Sequence, residues 1–153
     1  MEKSLKLTAE LVPSTCWYVN VRSNVPVKIW DIIRKKCYSL ANYKCEICGD
    51  TGKNQGVRHD VECHEIWEYD DKKHTQTLKG LISLCPQCHQ VKHSGLAGIK
   101  GKTHEVIKQL IKVNEMTNSE ASEYLTKCFE IYHERSEYQW TLDISLIEEY
   151  IKY

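Results

Sequence analysis

The chain has 153 residues, 41% apolar and 27% charged, with 21 basic and 21 acidic side chains. That length lets about 70% of the unfolded chain's surface be buried in one packed domain with an appendage, and the balanced charge excludes intrinsic disorder and a polybasic DNA-coating protein. No apolar run approaches a membrane span, and the start, Met1-Glu2-Lys3-Ser4, has no signal-peptide pattern, so the expectation is a soluble, cytoplasmic protein with no membrane partner.

Leu5, Leu7, Ala9 and Leu11 alternate, as do Trp17, Val19 and Val21, which predicts two short strands near the N-terminus. Pro26 opens a helix running to about Ala41, with Ile29, Ile33, Cys37 and Leu40 on one face. Alternation over 57–69 predicts a strand with Val57, Val61, Cys63, Trp67 and Tyr69 on a buried face and Asp60, Glu62 and His64 on a polar one. Residues 70–77 read as a polar loop, Leu78 to Leu84 as the returning strand, and a short helix follows Pro86. The glycine-rich run from Gly95 to Gly101 reads as a helix exit and connector. Thr103 caps a helix bearing Val106, Leu110, Ile111 and Val113. Thr117 and Glu120 form a capping box for the next, whose apolar face is Ala121, Tyr124, Leu125, Cys128 and Tyr132, and Asp143 caps a last short helix.

Charge is unevenly spread. Residues 72–104 hold six lysines (Lys72, Lys73, Lys79, Lys92, Lys100, Lys102) and no acid, whereas 105–153 hold 10 acids against 5 bases. A basic middle suits phosphate contacts. The acidic amphipathic tail helices offer a homodimer surface.

Cysteine is the compositional outlier, with 8 residues beside 7 histidines. Cys45-Glu-Ile-Cys48-Gly49 and Cys85-Pro-Gln-Cys88 are two C-x2-C pairs separated by 36 residues. Two such knuckles supply four thiolates in a tetrahedron, the donor set of structural zinc. The closed shell leaves no position for water, so Cys45, Cys48, Cys85 and Cys88 are expected to bind Zn²⁺ for folding. Cys16, Cys37, Cys63 and Cys128 read as small buried hydrophobes. His89 and His93, spaced i and i+4 on the helix after Pro86, share a face. His64, on the polar face of the strand before the loop, is the third imidazole for a common metal.

These pieces, Cys45-Glu-Ile-Cys-Gly, Val61-Glu-Cys-His-Glu-Ile66, Gly80-Leu-Ile-Ser-Leu-Cys85 and Cys88-His-Gln-Val-Lys-His93, resemble the HNH endonucleases of the His-Me finger (ββα-metal) family, zinc-ribbon-containing type. The likeness covers Cys45 to about Gly95. It implies a β-hairpin packed on a helix, a zinc-stabilised ββα-metal finger (45–101); with the elements read above, the chain is expected to be α+β, with N-terminal strands and a helix (1–44) and a C-terminal helical extension (102–153). It further implies metal-dependent hydrolysis of phosphodiesters, DNA rather than RNA. A second, catalytic divalent ion (Mg²⁺, Mn²⁺, Ni²⁺ or Zn²⁺) would be held by His64, His89 and His93. The six lysines would contact the nucleic acid. Two positions depart from the family. Glu65 stands where a general-base His is usual, and Gly80 where Asn is usual. Glu65 is then the base, or His59 or His74 replaces it, or the register shifts so that Cys63 and His64 fill the pair. The alternative is a zinc-binding nucleic-acid-binding or adaptor module whose nuclease site is inactive.

Overall fold

The computed structural model describes residues 4–151; Met1 to Lys3, part of the chain start read above, and the last two residues lie outside the described residues. The fold is α+β, with helices on both faces of a three-stranded sheet. No helix is long and apolar enough to cross a membrane.

The N-terminal segment forms neither predicted strand. Its backbone is held by side chains from distant helices. The Asn114 carboxamide accepts from the N–H groups of Lys6 and Leu7 at 3.0 and 2.9 Å and donates to the Leu7 carbonyl at 2.8 Å, and the Ala9 N–H donates to the Tyr124 hydroxyl at 2.8 Å. Buried backbone groups must find partners, and here side chains take the place of a strand ladder. A single 3-10 turn (Ser14–Cys16) follows, and then α1 (Val21–Asn24), which Asn20 opens through a reciprocal capping box with Ser23. Trp17, expected in the second of those strands, is 52% exposed.

Helix α2 (Val27–Leu40) is preceded by Pro26 as its N-cap. It buries Ile33 and Cys37, two of the four residues expected on its inner face, while Leu40 is exposed in the last turn. The first knuckle comes next, then a tight excursion back to the sheet. Within it, a Cβ on Gly52 would run into the His59 carbonyl oxygen, so only glycine fits there.

Strand β1 (Glu62–Asp70) starts five residues later than the alternation suggested, because Val57 and Val61 precede it in the loop. It pairs antiparallel with β2 (Thr75–Leu84), Glu62 opposite Leu84 and Asp70 opposite Thr75, with Lys79 the extra residue of a bulge facing Ile66 and Trp67. The expected loop of 70–77 contracts to Asp71–His74. The Asp70 carboxylate accepts from the N–H groups of Lys72 and Lys73, both at 3.0 Å, and His74 adopts φ 51°.

After β2 come α3 (Pro86–Lys92), α4 (Ser94–Ile99), α5 (Thr103–Asn114) and α6 (Asn118–Arg135). The glycine-rich connector is thus itself a short helix, and Thr103 is the first residue of α5, not its cap. The Thr117–Glu120 capping box forms as expected. A strand not foreseen, β3 (Thr141–Asp143), lies parallel to the start of β2. The last helix is α7 (Ile147–Ile151), and Asp143 belongs to β3, where its carboxylate accepts from the Ser145 N–H and hydroxyl.

The sheet divides two cores. Leu84 and Ile82 join Cys45, Cys85, Cys88, Val91, Leu110 and Leu125 on the face carrying His64. Leu78, Leu81 and Trp67 join Val21, Ile33 and Ile147 on the other. The apolar stripes of α5 and α6 therefore pack within the chain. The tail is pinned to the hairpin tip by a two-pronged contact in which Arg135 donates to Asp71 at 2.8 and 3.0 Å.

Candidate metal centres

The first knuckle turns on Gly49, whose φ of 78° suits glycine; its N–H donates to the Cys45 carbonyl at 2.9 Å. The second is also a helix start. Cys85 is the N-cap of α3, Pro86 occupies its first turn, and the Cys88 N–H points at the Cys85 sulfur at 3.4 Å. The two knuckles meet because Glu46 is stitched to β2. Its N–H donates to the Ser83 carbonyl at 2.9 Å and its carboxylate accepts the Ser83 N–H at 2.6 Å.

The sulfurs of Cys45, Cys48, Cys85 and Cys88 all lie within 4.8 Å of one another, close enough to hold a metal such as zinc. Four sulfurs so placed cannot all ionise unaided. The Cys85 and Cys88 thiols donate to Cys45 and hold it far below the usual thiol range. Cys88 rises in consequence, and burial pushes Cys48 up to about 12. A cation removes that conflict. Gln109 of α5 adds a further contact, its side-chain N–H reaching the Cys88 sulfur at 3.2 Å.

His89 follows Cys88 directly, so the knuckle that starts α3 also sets the position of its histidines. His89 and His93 sit one turn apart, and both face His64, with ring centroids 5.3 and 5.5 Å from it. The ligating nitrogens of the three lie within 4.8 Å of one another, so this second cluster can also hold a metal ion. His89 Nδ1–H donates to Glu62 at 2.8 Å, which leaves its Nε2 lone pair facing His93 Nε2 at 3.0 Å. Burial and the neighbouring imidazoles depress His64 to about 2 and His93 to about 4, keeping both rings neutral and their lone pairs available.

Glu62 is the residue that sequence reading passed over. It shares the polar face with His64, and its second carboxylate oxygen accepts from His59 Nε2 at 3.2 Å. The His89 hydrogen bond holds its carboxyl below the usual range. A carboxylate behind a metal-binding imidazole fixes the ring's tautomer and orientation. Glu62→Ala is expected to weaken Ni²⁺ binding at the histidine cluster about 10–100-fold in calorimetric titration, with the cysteine site still filled. Unchanged affinity would remove Glu62 from this role.

Glu65 lies on the opposite face of β1. Its one hydrogen bond among the described residues comes from the Val21 N–H at 3.3 Å, and burial pushes its carboxyl up to about 7. It nevertheless borders the same cavity as the histidines. That cavity, of about 620 Å³, is lined by residues from both faces of β1 and so follows the strand's unpaired edge. The substitute bases fall differently. His59 stays near the cluster through Glu62, whereas His74 stacks on Tyr138 at 4.2 Å at the far hairpin end. Cys63 faces α2 beside Cys37 rather than the histidines.

Of the six lysines, Lys72, Lys73, Lys79, Lys100 and Lys102 are exposed. Lys92 is not a free phosphate contact. It is 8% exposed and donates to Glu10 at 2.8 Å and Thr8 at 2.9 Å, because its place on α3 turns it under the N-terminal segment.

Comparison of the chain with protein-family models, with curated proteins and with solved structures found no match in any of the three.

Proposed function

We propose that the chain is a metal-dependent endonuclease of the HNH, ββα-metal type that hydrolyses DNA phosphodiesters. The observation that carries this reading is the convergence of His64, His89 and His93 on one hairpin–helix unit, apart from the four-cysteine cluster. Three protein ligands leave coordination positions open, unlike four thiolates. A divalent ion held there supplies charge stabilisation to the scissile phosphate and the leaving 3′ oxygen. The protein's own groups do the rest. Glu62 orients His89, and the five exposed lysines contact phosphates along the strand. Glu65, which borders the cavity that the histidines also line, takes the proton of the attacking water.

The test is cleavage of supercoiled plasmid and single-stranded circular DNA with Mn²⁺, Mg²⁺ or Ni²⁺. Nicking is expected, and Glu65→Gln is expected to lower turnover by about a hundredfold or more with little change in DNA affinity. DNA left intact with every ion would overturn the nuclease reading. One observation favours a second reading, a zinc-stabilised DNA-binding module without hydrolysis: Glu65 points away from the imidazoles and is tied to Val21. DNA bound but never cut would establish it.

A further inference from the structure

The cavity beside the histidines is larger and less polar than hydrolysis of a backbone phosphate requires. Its volume of about 620 Å³ falls in the range of sites that enclose a small organic group, about 300–1,000 Å³. Trp17, Val19, Leu96, Ile99, Phe129 and Tyr132 contribute walls. Trp17 and Tyr132 lie nearly parallel, 14° apart with centroids at 6.4 Å. Phosphates want lysines and N–H donors; flat rings want walls of this kind.

A second observation points to a polar occupant with a flat apolar body. Gln76 lines the cavity, is 1% exposed, and its carboxamide oxygen has no hydrogen-bond partner among the described residues, while its Nε2 donates to the Tyr69 hydroxyl at 3.3 Å. Exchanging the two ends of the amide only moves the orphan from oxygen to nitrogen. A buried unpaired amide group costs about 1–3 kcal/mol, a burden that a ligand bearing an N–H donor would relieve. Gln76 sits opposite Tyr69, five residues along β1 from His64. At 3.3 Å per residue the cavity therefore reaches about 17 Å from the imidazoles, farther than one phosphate and short enough for a few nucleotides.

We infer that this cavity receives an unpaired nucleobase of the DNA strand whose backbone lies at His64, His89 and His93, with aromatic walls for its faces and Gln76 for its edge. The substrate is then single-stranded or locally melted DNA, since a base inside a duplex cannot enter. The inference rests on the nucleic-acid reading above, but its test reads binding instead of cleavage.

Fluorescence anisotropy of the zinc-replete 153-residue chain with labelled 12-nucleotide probes is the measurement. The probes are a base-bearing single strand, the same strand made fully abasic, and the paired duplex. The base-bearing strand is expected to bind at least about tenfold tighter than the other two, in line with base–aromatic stacking. Gln76→Met should remove most of that margin while leaving the melting temperature unchanged or raised, because the orphan goes with the amide. Equal binding of all three probes, or a margin that survives in Gln76→Met, would overturn the inference. If the margin appears but no DNA is cut, the hydrolytic reading fails and the base pocket stands. If duplex is cut with no preference for the unpaired strand, the nuclease stands and the pocket falls.

Discussion

Replacing Cys88 with serine is expected to lower the melting temperature by about 10 °C or more and to melt the packing of α3 against α5. Cys88 is fully buried, beside Leu84, Val91 and Leu110, and three of the four clustered cysteines belong to that core. A structural zinc site contributes about 10–16 kcal/mol in small zinc domains, comparable with the whole stability of a domain, about 5–15 kcal/mol. Loss of one thiolate removes a large part of that and also orphans the Gln109 side-chain N–H, which meets the Cys88 sulfur at 3.2 Å. At about 2–4 °C per kcal/mol for a chain of this size, several kcal/mol give the stated shift. Circular dichroism melts with and without a strong chelator check it. A Cys88→Ser variant that melts like the native protein, or a native protein indifferent to chelation, would show that the sulfurs meet without a structural metal.

The same local chemistry explains what could be read in advance. A C-x2-C pair needs only a tight turn to bring its sulfurs together, and His89 and His93 need only one helical turn, so both groupings show in the bare sequence. His64 needed the alternation of β1 as well, and that pattern also put Glu62 on the His64 face. The signal for Glu62 as a support of His89 was therefore present, and only the position of α3 turns it into a contact. What stayed hidden depends on partners far along the chain. Leu7 and Ala9 alternate like a strand, yet their backbone partners are Asn114 and Tyr124, more than a hundred residues away. Lys92 looks like one of six equivalent lysines until Glu10, 82 residues distant, pairs with it. Strand β3 is three residues long, too short for periodicity to show. Val57 and Val61 fit the β1 alternation, but the Gly52 and His59 contact diverts the chain into a turn before the strand begins.

His64→Ala is expected to abolish divalent binding at the histidine cluster and, with it, DNA cleavage, while one zinc per chain and the fold remain. The geometry separates the two clusters. His64 comes from β1, His89 and His93 from α3, and none of the three contributes to the cysteine cluster. Removing even an outer-shell partner of a metal commonly weakens binding or activity 10–100-fold, so deletion of a ligand should exceed about a hundredfold. Stability should change little, within about 1 kcal/mol. The native site crowds three imidazoles, two of which, His64 and His93, have proton affinities depressed by burial and by the neighbouring rings, and taking His64 away relieves that crowding as it removes packing. Three readouts decide the matter together: Ni²⁺ titration, zinc content by elemental analysis, and nicking of plasmid and single-stranded circles. Retained cleavage in His64→Ala would move the active metal elsewhere and leave His89 and His93 as a hydrogen-bonded pair. Loss of zinc with loss of activity would instead mean that the two clusters fold as one unit, and the nuclease reading would then need His93→Ala, on the exposed side of the cluster, to separate chemistry from folding.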